Sequence, residues 1–96
     1  MKVLKLYSQT CAPCKELAPK LEEVADKFRD LVIESYDVGT PDGRGLAVAY
    51  RVRSVPTVLI TDEDEGGLHV VDFFTGNKTA PELYNFFRDY FVQKEI

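Results

Sequence analysis

The chain has 96 residues, 45% hydrophobic and 29% charged, with a formal net charge of -4. That is enough apolar material for one packed domain over residues 1–96 and too much for a disordered chain. An acidic balance without a basic cluster or base-stacking motif argues against nucleic acid as the main partner, and no apolar run reaches the length of a membrane span.

Val3-Leu4-Lys5-Leu6-Tyr7 is a short apolar run that reads as a strand buried on both faces, with Lys5 in its middle. Met1-Lys2 leads straight into it, so no signal peptide is expected and cytoplasmic residence is the default. Thr10 is placed to cap a helix running from Cys11 or Ala12 to Phe28. Its Leu17, Leu21, Val24, Ala25 and Phe28 recur at three- and four-residue steps. Pro19 lies inside that pattern and predicts a kink, not an end, because the apolar spacing continues beyond it. Leu31 to Tyr36 reads as a second strand. Asp37 to Gly45 contains Pro41 and three glycines and reads as a loop, followed by a short helix from Leu46 to Tyr50.

Val55 to Ile60 is a third strand, begun through Pro56. Asp62 to Gly67 reads as an acidic hairpin turn in which Gly66 or Gly67 supplies positive φ. Its four successive acids lack the glycine and terminal-glutamate spacing of a calcium loop, which leaves a solvated turn. Leu68 to Phe74 is a fourth strand, punctuated by Gly76, and Thr79-Ala80-Pro81-Glu82 has the form of a capping box. Leu83, Phe86, Phe87, Tyr90 and Phe91 then make the apolar face of a terminal helix, a stripe suited to core packing. The order is βαβαββα. Helical crossovers make the first strands parallel and the hairpin makes the last pair antiparallel, which predicts an α/β fold: a four-stranded mixed sheet with helices on both faces.

Cys11 and Cys14 are the only cysteines, set at the junction between the first strand and the first helix. Unpaired backbone N–H groups and the positive end of the helix dipole lower a thiol pKa there, and the two-residue gap places both sulfurs on one turn. This favours dithiol–disulfide exchange. A purely structural disulfide would close a loop too short to gain much from cross-linking. A zinc site lacks ligands, since only the distant His69 could join the two cysteines. Cys11 lies nearer solvent and is the candidate nucleophile; Cys14, one turn inward, is the resolving thiol.

These residues together resemble the thioredoxin family. Cys11-Ala12-Pro13-Cys14-Lys15, Leu17-Ala18-Pro19, Leu21, Glu23, Val24-Ala25 and Phe28 are similar to its active-site helix. Tyr50-Arg51-Val52-Arg53-Ser54-Val55-Pro56-Thr57 resembles its second signature, whose proline is cis beside the dithiol. Phe74-Thr75-Gly76 matches the glycine lining the substrate groove. The resemblance runs from Val3 to Phe91. It implies a thioredoxin-like fold, Cys11 and Cys14 as catalytic residues, and Ala12, Pro13, Val55, Pro56 and Gly76 as the client-binding surface. It further implies a monomer acting on disulfide-containing client proteins, recharged by a thioredoxin-reductase-type flavoprotein, with no cofactor beyond the redox-active pair and no metal, nucleic acid or membrane.

The departures are specific. The family's first strand and helix have no counterpart before Val3, giving a minimal core like that of glutaredoxins. Thr10 stands where thioredoxin has tryptophan, Ala12 replaces the usual glycine, and Lys5 stands where the family has a buried aspartate. Gly76-Asn77-Lys78 does not reproduce the glutathione-binding stretch of glutaredoxins. A glutaredoxin-like donor dedicated to one partner, such as ribonucleotide reductase, and a non-catalytic adaptor remain as alternatives to a protein-disulfide reductase. Lys5, Lys15 and Glu34 are candidate pKa-tuning residues. Lys5 either extends its amine to solvent, pairs with Glu34 or secondarily Asp37, or, if near Cys14, favours that thiolate.

Overall fold

Val3, Leu4 and Leu6 are buried and alternate between two apolar layers, so the first strand is built into the middle of the molecule. The computed structural model describes residues 1–95. The elements are β1 (Lys2–Tyr7), α1 (Ala12–Ala25), β2 (Ile33–Asp37), α2 (Pro41–Ala49), β3 (Thr57–Asp64), β4 (Gly67–Thr75) and α3 (Ala80–Arg88). The sheet order is β2-β1-β3-β4. Val3, Val58 and Ile60 meet Leu17, Leu21 and Val24 of α1 and Leu83 and Phe87 of α3 on one face. Leu4, Leu6 and Leu59 meet Leu46 and Ala47 of α2 on the other. The fold is therefore α/β, a four-stranded mixed sheet with helices on both faces.

Strand β1 pairs parallel with β2 and antiparallel with β3, and β3 pairs antiparallel with β4. The expectation that the crossover through α2 makes β3 parallel is thus corrected. Asp37 ends β2 opposite Tyr7, and Thr57 opens β3 opposite Leu6. The chain leaves and re-enters the sheet at the same end, because the nine residues of α2 run out and residues 50–56 run back. A parallel β3 would need a connection that crosses the length of the sheet.

Several boundaries also differ from the sequence expectations. Helix α2 begins at Pro41, inside the segment expected to be a loop. Thr40 caps it by accepting a hydrogen bond from the Gly43 N–H at 3.2 Å, and Pro41 occupies the first turn. Gly43 is buried, and a Cβ there would stand 1.9 Å from the Asp37 carbonyl oxygen, so the glycine lets the helix approach the strand end. Helix α1 passes through Pro19 and ends at Ala25, short of Phe28, and α3 ends at Arg88, short of Phe91. Phe28 and Phe91 still pack against the α1–α3 layer, which is why their spacing looked helical. The acids Asp62, Glu63 and Asp64 belong to β3, and Gly67, at φ 103°, starts β4.

The Thr79 capping box forms in both directions. The Glu82 N–H donates to the Thr79 hydroxyl at 3.3 Å, and the Thr79 N–H donates to the Glu82 carboxylate at 3.0 Å. The backbone N–H, then the hydroxyl of Thr79, hold the Glu82 pKa below the ordinary glutamate range. Its stabilisation is present above the unfolded pKa and disappears as pH falls through the lower folded value. Thr79→Ala is expected to cost about 1 kcal/mol in neutral urea unfolding. Glu82→Gln keeps the box but loses its charge, so its stability should converge on that of the parent as pH drops below the carboxylate range.

Candidate active site

The dithiol lies where β1 hands over to α1. A turn through Ser8, Gln9 and Thr10 ends with the Cys11 N–H donating to the Ser8 carbonyl at 3.2 Å. Cys11 itself, at φ -91° and ψ 108°, is the helix N-cap, not Thr10. Its sulfur takes the place a serine oxygen would fill and accepts the Cys14 N–H at 3.2 Å. Cys11 and Cys14 form a disulfide with Cα atoms 5.2 Å apart. Cys11 is half-buried and Cys14 only 5% exposed, while Ala12 and Pro13 between them are exposed. No acid occupies the first turn of α1, so nothing there opposes the dipole's preference for a thiolate.

Two further segments converge on the cysteines. The Val55–Pro56 peptide bond is cis. The Val55 carbonyl oxygen lies 3.6 Å from the Cys11 sulfur, and Pro56 is buried behind it. The Thr57 hydroxyl donates to the Ser54 carbonyl at 2.7 Å, and the Gly76 N–H donates to the Pro56 carbonyl at 2.9 Å. Gly76 has φ 87°, a conformation costly for any residue with a side chain. Asn77 was not among the sequence candidates. Its side chain accepts from Lys20 at 2.8 Å and donates to Glu16 at 2.9 Å, tying the segment after β4 to α1. Nothing in local sequence marks that link, because its partners lie more than fifty residues away.

The candidate tuning residues separate into two groups. Lys5 and Lys15 line one cavity of about 380 Å³ together with Cys14, Tyr7, Ser8, Gln9 and Ala18. Glu34 is not part of it. In the sheet Glu34 stands opposite Leu4, whereas Lys5 stands opposite Ser35. Cross-strand partners share a face and successive residues alternate, so Glu34 and Lys5 point to opposite sides of the sheet. The Glu34 carboxylate lies 3.9 Å from the Lys2 amine instead. The expected Lys5–Glu34 pair is therefore corrected. The Asp37 carboxylate, the second choice, accepts the Gly39 N–H at 2.8 Å. His69 sits on β4 beside Asp64, at the end of the sheet away from the cysteines.

A dithiol at a helix N-terminus, facing a cis-proline that opens the antiparallel neighbour of the first strand, places the chain in the class of thioredoxin-fold proteins. Residues 1–89 match the family model described as Thioredoxin, and the chain belongs to the thioredoxin family. It is 40% identical over 76 residues to chloroplastic thioredoxin F1 of Arabidopsis thaliana, covering 79% of this chain and 40% of that protein. It is 37% identical over 86 residues to the mitochondrial thioredoxin of Bos taurus, covering 90% of this chain and 49% of the relative. The chain thus spans less than half the length of these curated relatives. Thioredoxin 1 of Thermosipho africanus superposes with a TM-score of 0.73 at 28% identity, covering 94% of this chain and 93% of that one. Among the described residues, no helix is long and apolar enough to cross a membrane.

Proposed function

We propose that the chain is a protein-disulfide reductase in which Cys11 attacks and Cys14 resolves. The observation that carries this is the asymmetry of the pair: the half-buried Cys11 sulfur sits at the helix N-cap, one turn from the 5%-exposed Cys14. The Cys11 thiolate attacks one sulfur of a client disulfide, forming a mixed disulfide and releasing the other client sulfur as thiolate, which takes a proton from water. Cys14, deprotonated, then attacks Cys11. The Cys11–Cys14 disulfide forms, the second client sulfur leaves, and two electrons have passed to the client.

The client would lie along Ala12, Pro13, Val55, Pro56 and Gly76. Proline has no N–H, so the Pro56 position leaves the Val55 backbone as the edge against which an extended client segment can pair. Recharging falls to a flavoprotein reductase of the thioredoxin-reductase type, and a reducing compartment such as the cytoplasm would keep the pair reduced.

Turbidity from insulin reduction tests this directly, with thioredoxin reductase and NADPH or glutathione and its reductase as the alternative electron supplies. Turnover with the flavoprotein supports the assignment. Turnover with glutathione alone would establish the glutaredoxin-like donor, and no turnover with either would leave an adaptor.

A further inference from the structure

Cys14 must become a thiolate while almost fully buried, and burial works against that charge by raising the thiol pKa. The helix dipole helps, but it acts most strongly on Cys11 at the N-cap and less on Cys14 at the third helical position. A second source of positive potential lines the same cavity as Cys14. Lys5, in the centre of β1, and Lys15, on α1, both line it, and no carboxylate does.

The Lys5 ammonium is held without a counter-charge. Its register partners are Ser35 on β2 and Val58 on β3, both uncharged. It lies 5.4 Å from the centroid of the Tyr7 ring, a contact that orients the cation without neutralising it. Among the described residues it forms no ion pair with an acid. The other charged or titratable groups facing this region are few. Strand β1 brings the Tyr7 phenol, β2 brings Asp37 at its end, and α1 brings Lys15 and, one to two turns farther along, Glu22. Glu22 lines a separate cavity with Ile33, and Asp37 is engaged by the Gly39 N–H. Asp37, opposite Tyr7 on this face, is the carboxylate whose charge opposes ionisation of Cys14; Cys11 carries no charge in the mixed disulfide that Cys14 attacks.

We propose that Lys5 is a positioning residue for the second half of the reaction: its fixed charge stabilises the Cys14 thiolate, and the Cys14 proton leaves to solvent through this cavity. The proposal rests on the assignment of Cys14 as resolving thiol. In the resolving step the Cys14 S–H bond breaks, its proton passes to water in the cavity, and the sulfur electron pair forms the bond to Cys11 as the client thiolate departs. Lys5 is not the base in this step. An opposite charge close to a thiol lowers its pKa by about 1 to 3 units, and the partial exposure of Lys5 places the effect near the lower limit.

The measurement is the pH titration of thiolate ultraviolet absorbance in Cys11→Ser, where Cys14 is the only thiol. Adding Lys5→Met should weaken the Cys14 acid constant roughly tenfold. Lys5→Gln, which keeps a polar tip toward the cavity, should do the same, and Lys5→Arg should restore the parent titration. In the protein with both cysteines, the pH profile of mixed-disulfide resolution should move to higher pH in Lys5→Met and Lys5→Gln but not in Lys5→Arg. An unchanged titration in Lys5→Met or Lys5→Gln, or Lys5→Arg behaving like Lys5→Met, overturns the proposal. The titration needs no client, so it can fail while insulin reduction succeeds, and the reverse.

Discussion

Cys11→Ser is expected to lower insulin reduction roughly a thousandfold or more, to the uncatalysed background set by the added reductant. A serine hydroxyl at neutral pH is neither ionised nor able to form a disulfide, so no mixed disulfide can begin. Cys14→Ser should lose multiple turnover as severely and by a different route. Its Cys11 thiolate still attacks, and the complex then persists because the second thiol is gone. Non-reducing gel electrophoresis after mixing with a disulfide client separates the two: Cys14→Ser should accumulate a covalent adduct and Cys11→Ser none. Iodoacetamide at neutral pH should label Cys11 of the reduced protein first, in keeping with its exposure relative to the 5%-exposed Cys14. Adducts trapped in Cys11→Ser instead would reverse the two roles.

Phe87→Ala should be the most damaging single change to stability away from the dithiol. The Phe87 ring is fully buried in the layer between the sheet and its α1–α3 helices. It stacks edge-on with Phe28 at 6.1 Å, Phe86 at 5.2 Å and Phe91 at 6.2 Å between centroids. Removing it leaves a cavity that three aromatic neighbours, held by different segments, cannot close together. The expected cost is about 3–5 kcal/mol in denaturant unfolding, a large part of the stability of a domain this size. Phe87→Leu should recover more than half of that loss by refilling most of the volume. Because the dithiol is carried by the far end of α1, residual folded Phe87→Ala should match the parent in insulin reduction per folded molecule. A loss of activity beyond the folded fraction would show that this layer also positions the site.

Whatever depends on near neighbours in the chain was determined by the sequence alone. Cys11 and Cys14 at the start of an apolar helical pattern mark a dithiol at a helix N-terminus, because both the spacing and the orphan N–H groups are local properties. Thr79 and Glu82 mark the start of α3 for the same reason, whereas Val55-Pro56-Thr57 marks the segment that meets the cysteines only through its resemblance to the family's second signature. The alternation of Val3, Leu4 and Leu6 shows a strand covered on both sides. Tertiary structure decided the rest. The direction of β3 depends on where α2 returns the chain, which no residue in residues 38–56 encodes by itself. The helical start at Pro41 depends on Gly43 fitting against the Asp37 carbonyl, so its glycines read as a loop until that contact exists. Lys5 is the clearest case. Its nearness to Glu34 follows from strand adjacency, yet their separation follows from register, and a shift of one residue reverses the face on which every side chain in a strand lies. Residue type could set the charge of Lys5, but only the pairing of β1 with β2 and β3 could turn that charge away from the acid and onto the face whose cavity Cys14 also lines.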